Sequence, residues 1–261
     1  MTSMLRSVSF TFLIGSILFA ICLPTAAQSR TLPADSLIQF GKNQLDRGMK
    51  EGDSGPLRAA RSSFERAAQR DTLRALSHYY AGLASYRLVD YVDDEDAALD
   101  AAIDCLKTAT EHRPNWPEAH ALLAAAYGRK AAGGMFSGMR YGPKSDNALD
   151  RARELAPDNP RVVPIDAIAL LQKPSVFGGD EEKAVQKLKK ASRLFAKRPA
   201  PDDPLVPSWG HAMTYAWLGI AHIKADRFDQ AHTAFEKALS LRPKLHWVQE
   251  VLLPQLDAAK G

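Results

Sequence analysis

From residue 212 to 243 apolar and small residues recur at helical spacing in two runs, separated by a short polar connection at 224–229. This predicts an antiparallel helical pair. Gly219 and Ala231 let the two helices approach closely, Phe235 fills the space beside them, and Pro243 ends the second helix because it has no N–H to give the preceding turn. One such pair cannot bury its apolar face alone, so further pairs are expected. The rest of the chain supplies them as variants of the same pattern.

Tyr215, Leu218, Gly219 and His222 fall at the spacing of a W-x2-L-G-x2-Y pattern, and Ala231, Phe235, Ala238 and Pro243 complete the A-x3-F-x2-A...P half. In these positions the segment resembles a tetratricopeptide repeat. Leu37, Phe40 and Gly41 with Ala60, Phe64 and Ala67 fit the same template. So do His78, Ala81, Gly82 and Ser85 with Ala102, Leu106 and Ala109, and His120, Leu123, Ala124 and Tyr127 with Leu149, Ala152 and Pro157. Ala167 and Leu170 with Ala184, Leu188 and Ala191 make a looser fourth. The resemblance implies an all-α, right-handed α-solenoid of about five helical pairs, at roughly 34–71, 72–114, 115–157, 158–197 and 208–243. A terminal helix at 244–258, with Trp247, Val248, Val251 and Leu252 on one side, is expected to cap the stack and to bend or stop at Pro254.

Local signals mark the joints. Asp93 or Asp94 and Asp180 are expected N-caps, as is Asn159 with Pro160 at the first helical position, and Pro117 suits a first turn. Four connections carry extra residues that read as loops: 48–56, the acidic 90–96, the Gly-rich 131–143 and 173–180. Such insertions line one edge of a stacked array, and recognition often concentrates there. Residues 198–207 form a Pro-rich linker before the last repeat.

The resemblance also places the first helices on the concave face. There it presents Tyr79, Leu83, Tyr86, Arg87, Arg129, Trp217 and Ile220. That face is largely apolar and lacks the Lys and Asn set with which related co-chaperone domains hold a peptide carboxylate. An open apolar groove of this size is a liability in water, so either a partner or the chain's own loops must fill it. Met135, Phe136, Met139 and Tyr141 are expected to fold toward the groove, with Phe177 beside them; a partner-binding lip is the other reading of these loops.

The N-terminus differs in kind. Arg6, the uncharged apolar run at 8–23 and the small residues before position 28 match a secretory signal peptide cleaved after Ala27, leaving one domain at 28–261. The run is shorter than the roughly 20 residues a spanning helix needs, which argues against a retained anchor. Bulky Phe19 and Ile21 argue against lipid attachment at Cys22. The expected location is therefore periplasmic or secreted, without stable membrane insertion. Cys105 is then the one remaining thiol, without a disulfide partner, and it reads as a small packed hydrophobe.

Charge adds little. The net +4 is spread over helices in which basic and acidic residues are interleaved, and no basic run with interleaved aromatics supports nucleic-acid binding. The glycines of 131–143 lack the spacing of a phosphate-binding loop. His78 and His120 occupy equivalent repeat positions but have no matched carboxylate for a metal, and no nucleophile and base are paired. The expectation is a non-catalytic scaffold or adaptor without cofactor or metal. It would bind a protein or peptide partner in the concave groove or along the inserted loops. The competing expectation is a small-ligand binding protein, such as a transporter accessory, in which the loops roof the groove.

Overall fold

A computed structural model describes residues 32–70, 73–198 and 201–260. The expected signal peptide lies outside the described residues. The described residues build five helical pairs: α1 (Ala34–Glu51) with α2 (Ser54–Ala68), α3 (Arg74–Leu88) with α4 (Glu95–His112), α5 (Pro117–Ala131) with α6 (Met135–Leu155), α7 (Val162–Gln172) with α8 (Glu181–Ala196), and α9 (His211–Lys224) with α10 (Phe228–Leu241). A π-helical turn, Trp247–Leu252, leads into α11 (Leu253–Lys260). This is an all-α solenoid, as the resemblance implies.

Close approach within the pairs comes from glycine set against a large side chain. A Cβ on Gly41 would stand 2.5 Å from the Phe64 ring and one on Gly82 would stand 2.5 Å from Leu106; one on Gly219 would collide with Phe235. The same contact therefore recurs in the first, second and fifth pairs. Around it Ala60, Ala102, Ala152, Ala184 and Ala231 are fully buried, and Phe64, Leu106, Leu149, Leu188 and Phe235 fill the spaces between helices. Each of those larger side chains contributes about 2–3 kcal/mol by leaving water.

The joints follow their sequence signals in part. Asp94 accepts from the Ala97 N–H at 2.9 Å and Asp180 from Lys183 at 2.9 Å, and Pro117 opens α5. Asn159 accepts from Arg161 instead, and Pro160 stays in the turn before α7. Two expected loops are largely helix. At 48–56 the helix runs on to Glu51, because Gly48 serves close packing against Leu57 and not a turn; only Gly52, at φ 66°, reverses the chain. At 131–143 the helix starts directly after Gly134, at φ 135°, and runs through Pro143. That proline is exposed, so water can take the carbonyl its missing N–H leaves free. Pro254 likewise does not end its helix: the preceding turn widens to the π form, which absorbs the lost hydrogen bond.

The C-terminal segment does more than cap the last pair. Leu245, Val248, Leu252 and Leu256 are buried in one hydrophobic cluster with Met49 and Leu57 of the first pair. Arg242 pairs with Asp46, and the His246 ring lies where a side chain on Gly52 would be. The last repeat is thus braced against the first.

Candidate functional site

The described end of the Pro-rich linker, with Ser208 and Trp209 that follow it, lies across the concave face. Pro204 and Pro207 deny the segment a backbone ladder of its own, so its carbonyls need side-chain donors. Three repeats provide them. Lys42 of α1 donates to the Val206 carbonyl at 3.0 Å and also to that of Pro204. Tyr80 of α3 donates to Leu205 at 2.7 Å, and Arg161 donates to Trp209 at 3.0 Å and to Pro207. The Trp209 indole N–H in turn donates to the Tyr79 hydroxyl at 2.9 Å. Arg161 is only 6% exposed and lies 5.8 Å from the Phe195 ring and 5.9 Å from the Trp209 ring. Burial pushes its guanidinium below the usual range and pushes both tyrosines up.

Behind the linker a chamber of about 480 Å³ remains. Its walls come from α3, α5, α6, α7 and α9, and Trp209, Met49 of α1 and Trp247 of the C-terminal turn also line it. The groove is therefore partly covered by the linker and the C-terminal segment. The expected covering by Met135, Phe136, Met139 and Tyr141 does not occur.

The residues singled out in the sequence divide into three groups. Tyr79 and Leu83 are 0% and 1% exposed and belong to the core, so no partner can reach them. Tyr86, Arg87, Arg129 and Trp217 line the chamber, with Arg129 engaged by Asp90 at 2.5 Å and by Glu95 at 3.4 Å. Ile220 is partly buried and packs against two core clusters. The third group faces outward: Met135 is 79% exposed, Phe136 87%, Met139 73% and Phe177 75%. Tyr141 is half-buried and stacks on Tyr127 at 6.1 Å.

The outward group has a structural cause. At 21 residues α6 outruns its partner α5 at 15, and it packs through Ser145, Leu149 and Ala152 near its C-terminal end. Its first turns project past the stack. In the next repeat a 3-10 turn, Ser175–Phe177, raises Phe177 together with Val176, which is 82% exposed and which sequence reasoning passed over. Lys173 at the base of that turn pairs with Asp146 of α6, so both protrusions stand on one edge. Arg140 and Lys144 flank them. Both lie near the Tyr141 ring, at 5.2 and 5.4 Å, and neither has a carboxylate partner among the described residues.

Sequence reasoning also missed Lys42, Arg161, Leu205 and Trp209. One signal was available: single cationic residues beside otherwise apolar helical runs, as Arg161 stands before Val162–Gln172.

The remaining chemistry-bearing groups sit apart. His78 stacks on His112 at 6.3 Å, while His120 Nε2 lies 2.8 Å from the Pro114 carbonyl. Among the described residues no group of three His, Cys, Asp or Glu side chains could hold a metal ion, and no helix is long and apolar enough to cross a membrane. Cys105 is a free thiol, half-buried, and burial pushes it up to about 11.

No protein-family profile matches this chain, and no curated protein matches it either. Solved structures do. TTC0263, a thermophilic TPR protein of Thermus thermophilus, superposes with a TM-score of 0.57 at 19% identity, over 84% of this chain and 98% of that one. The HusA haemophore from Porphyromonas gingivalis superposes with a TM-score of 0.59 at 20% identity, over 74% of this chain and 94% of that one.

Proposed function

We propose that this helical-repeat chain, with its tetratricopeptide-like fold, is an interaction scaffold that takes a protein partner on its inter-helix edge. Scaffolding by protein contact is what likeness to tetratricopeptide proteins suggests, and the choice of surface rests on this chain's own geometry. A peptide in the concave groove would have to displace the linker and its five side-chain hydrogen bonds from Lys42, Tyr80 and Arg161. The edge asks for no displacement. The observation that carries the reading is the group Met135, Phe136, Met139, Val176 and Phe177, all more than 70% exposed on adjacent repeats. Soluble monomers seldom leave so many large apolar side chains together in water without a use for them.

The partner segment that fits is apolar, with acidic residues opposite Arg140 and Lys144. No catalytic step enters this reading. Export to the cell envelope belongs to the same proposal and rests on the residues before position 28. Affinity capture from an envelope extract tests the surface. A protein recovered by wild type should be lost with Phe136→Ser combined with Phe177→Ser, and retained with Trp217→Ala. The reverse pattern would return the partner to the groove.

A further inference from the structure

Beside the chamber lies a second cavity of about 140 Å³, and the two share Met49, Arg87, Trp209 and Met213. Their linings differ in chemistry. The chamber is walled by rings, with Tyr86, Trp209, Trp217 and Trp247 among apolar side chains. The smaller cavity gathers three cations, Lys42, Arg87 and Arg242, against one carboxylate, Asp46. That carboxylate is already taken on both sides, by Arg242 and by Lys50 at 2.7 Å.

The cations are left short of anions. Arg87 has no carboxylate at ion-pair distance among the described residues and lies 5.9 Å from the Tyr86 ring. Lys42 donates to the linker carbonyls and lies 5.4 Å from the Tyr80 ring, with Asp203 of the linker as its nearby anion. The Nε of Arg242 is buried without a hydrogen-bond partner. Burial holds both Lys42 and Arg242 below their usual ranges, and Arg87 adds to the effect on Arg242. An anion arriving between them would relieve repulsion and bring its own charge out of water onto prepared partners.

We propose that the joined cavities bind an amphipathic organic anion, with its ring-bearing apolar body in the chamber and its carboxylate or similar head group between Lys42, Arg87 and Arg242. The chamber volume lies in the range of ordinary small-molecule sites, where apolar walls supply affinity and a few polar groups fix orientation. This site is separate from the edge surface and stands or falls without it.

Two dyes test it on the full chain: anilinonaphthalene sulfonate, which carries an anionic head, and phenylnaphthylamine, which has the same rings and none. Binding is read as energy transfer from the chamber tryptophans. The sulfonate should bind at one site and lose ~10-fold in affinity with Arg87→Met, while the neutral dye should be indifferent to that change. Phe136→Ser should alter neither titration. If the sulfonate is insensitive to Arg87→Met, or is lost with Phe136→Ser, or fails to bind, the proposal is wrong. Should Arg87→Met melt early, Arg87→Gln, closer in shape, carries the same comparison.

Discussion

Replacing Arg161 with alanine tests the filling of the concave face. The guanidinium donates to two linker carbonyls, on Pro207 and Trp209, and Pro207 is buried. Water cannot freely take over those carbonyls. Each charge-assisted hydrogen bond lost at such a site costs roughly 1.5–3 kcal/mol. Contact with the Phe195 and Trp209 rings is lost as well, whereas Glu118 keeps the Asn159 side chain at 2.8 Å as a donor. The two bonds together come to about 3–6 kcal/mol against the docked linker. Arg161→Lys keeps the charge but lacks the fork that reaches both carbonyls, so it should lose roughly half as much. The assay is twofold: urea unfolding for global stability, and limited proteolysis for local opening of residues 201–210. Protease should cut the linker at least ~100-fold faster in Arg161→Ala, because local opening precedes global unfolding. An unchanged cleavage rate, with stability within about 0.5 kcal/mol of wild type, would refute the argument.

Three other perturbations probe the core and its titrating groups. Gly219→Ala forces a methyl into the Phe235 ring and should cost about 1–3 kcal/mol in urea unfolding, with partial recovery when combined with Phe235→Leu. His222 is 3% exposed, and burial, aided by Arg227 and Lys189, lowers its pKa from 6.5 to about 4. Between those values the unfolded chain binds the proton and the folded chain does not, so stability falls by ~3 kcal/mol as pH drops through this window. Melting temperature against pH should show that loss, and His222→Gln should flatten it. The Cys105 thiol, raised from 9.0 to about 11, should react with a disulfide reagent near pH 8 ~100-fold more slowly folded than in urea. Equal rates would contradict its placement.

The helical pairs were legible because each depends on local spacing: Gly41 and Phe64, or Gly219 and Phe235, announce a close helix contact in the sequence itself. The exposed apolar group was legible as residues and misread as to direction. Met135, Phe136 and Met139 resemble groove-filling side chains, and only the mismatch in length between α5 and α6 turns them outward. The linker was legible as a linker and nothing more. Its seat on Lys42, Tyr80 and Arg161 brings together residues up to 164 positions apart, and no local pattern encodes such a meeting. The brace between Arg242 and Asp46, 196 positions apart, was hidden for the same reason. Tyr79 and Leu83 were assigned to the concave surface by repeat register alone, but Trp116 stacks on the Tyr79 ring and Trp209 bonds its hydroxyl.

The central claim is that a partner meets the outward edge while the chain's own linker occupies the groove. Site-specific photocrosslinking tests it most directly, with a photoreactive phenylalanine analogue placed in turn at Phe136, Phe177 and Trp217 in the native host. A single discrete crosslinked product from positions 136 and 177, and none from 217, is the predicted result. A product from 217 with none from the two edge positions would contradict the account.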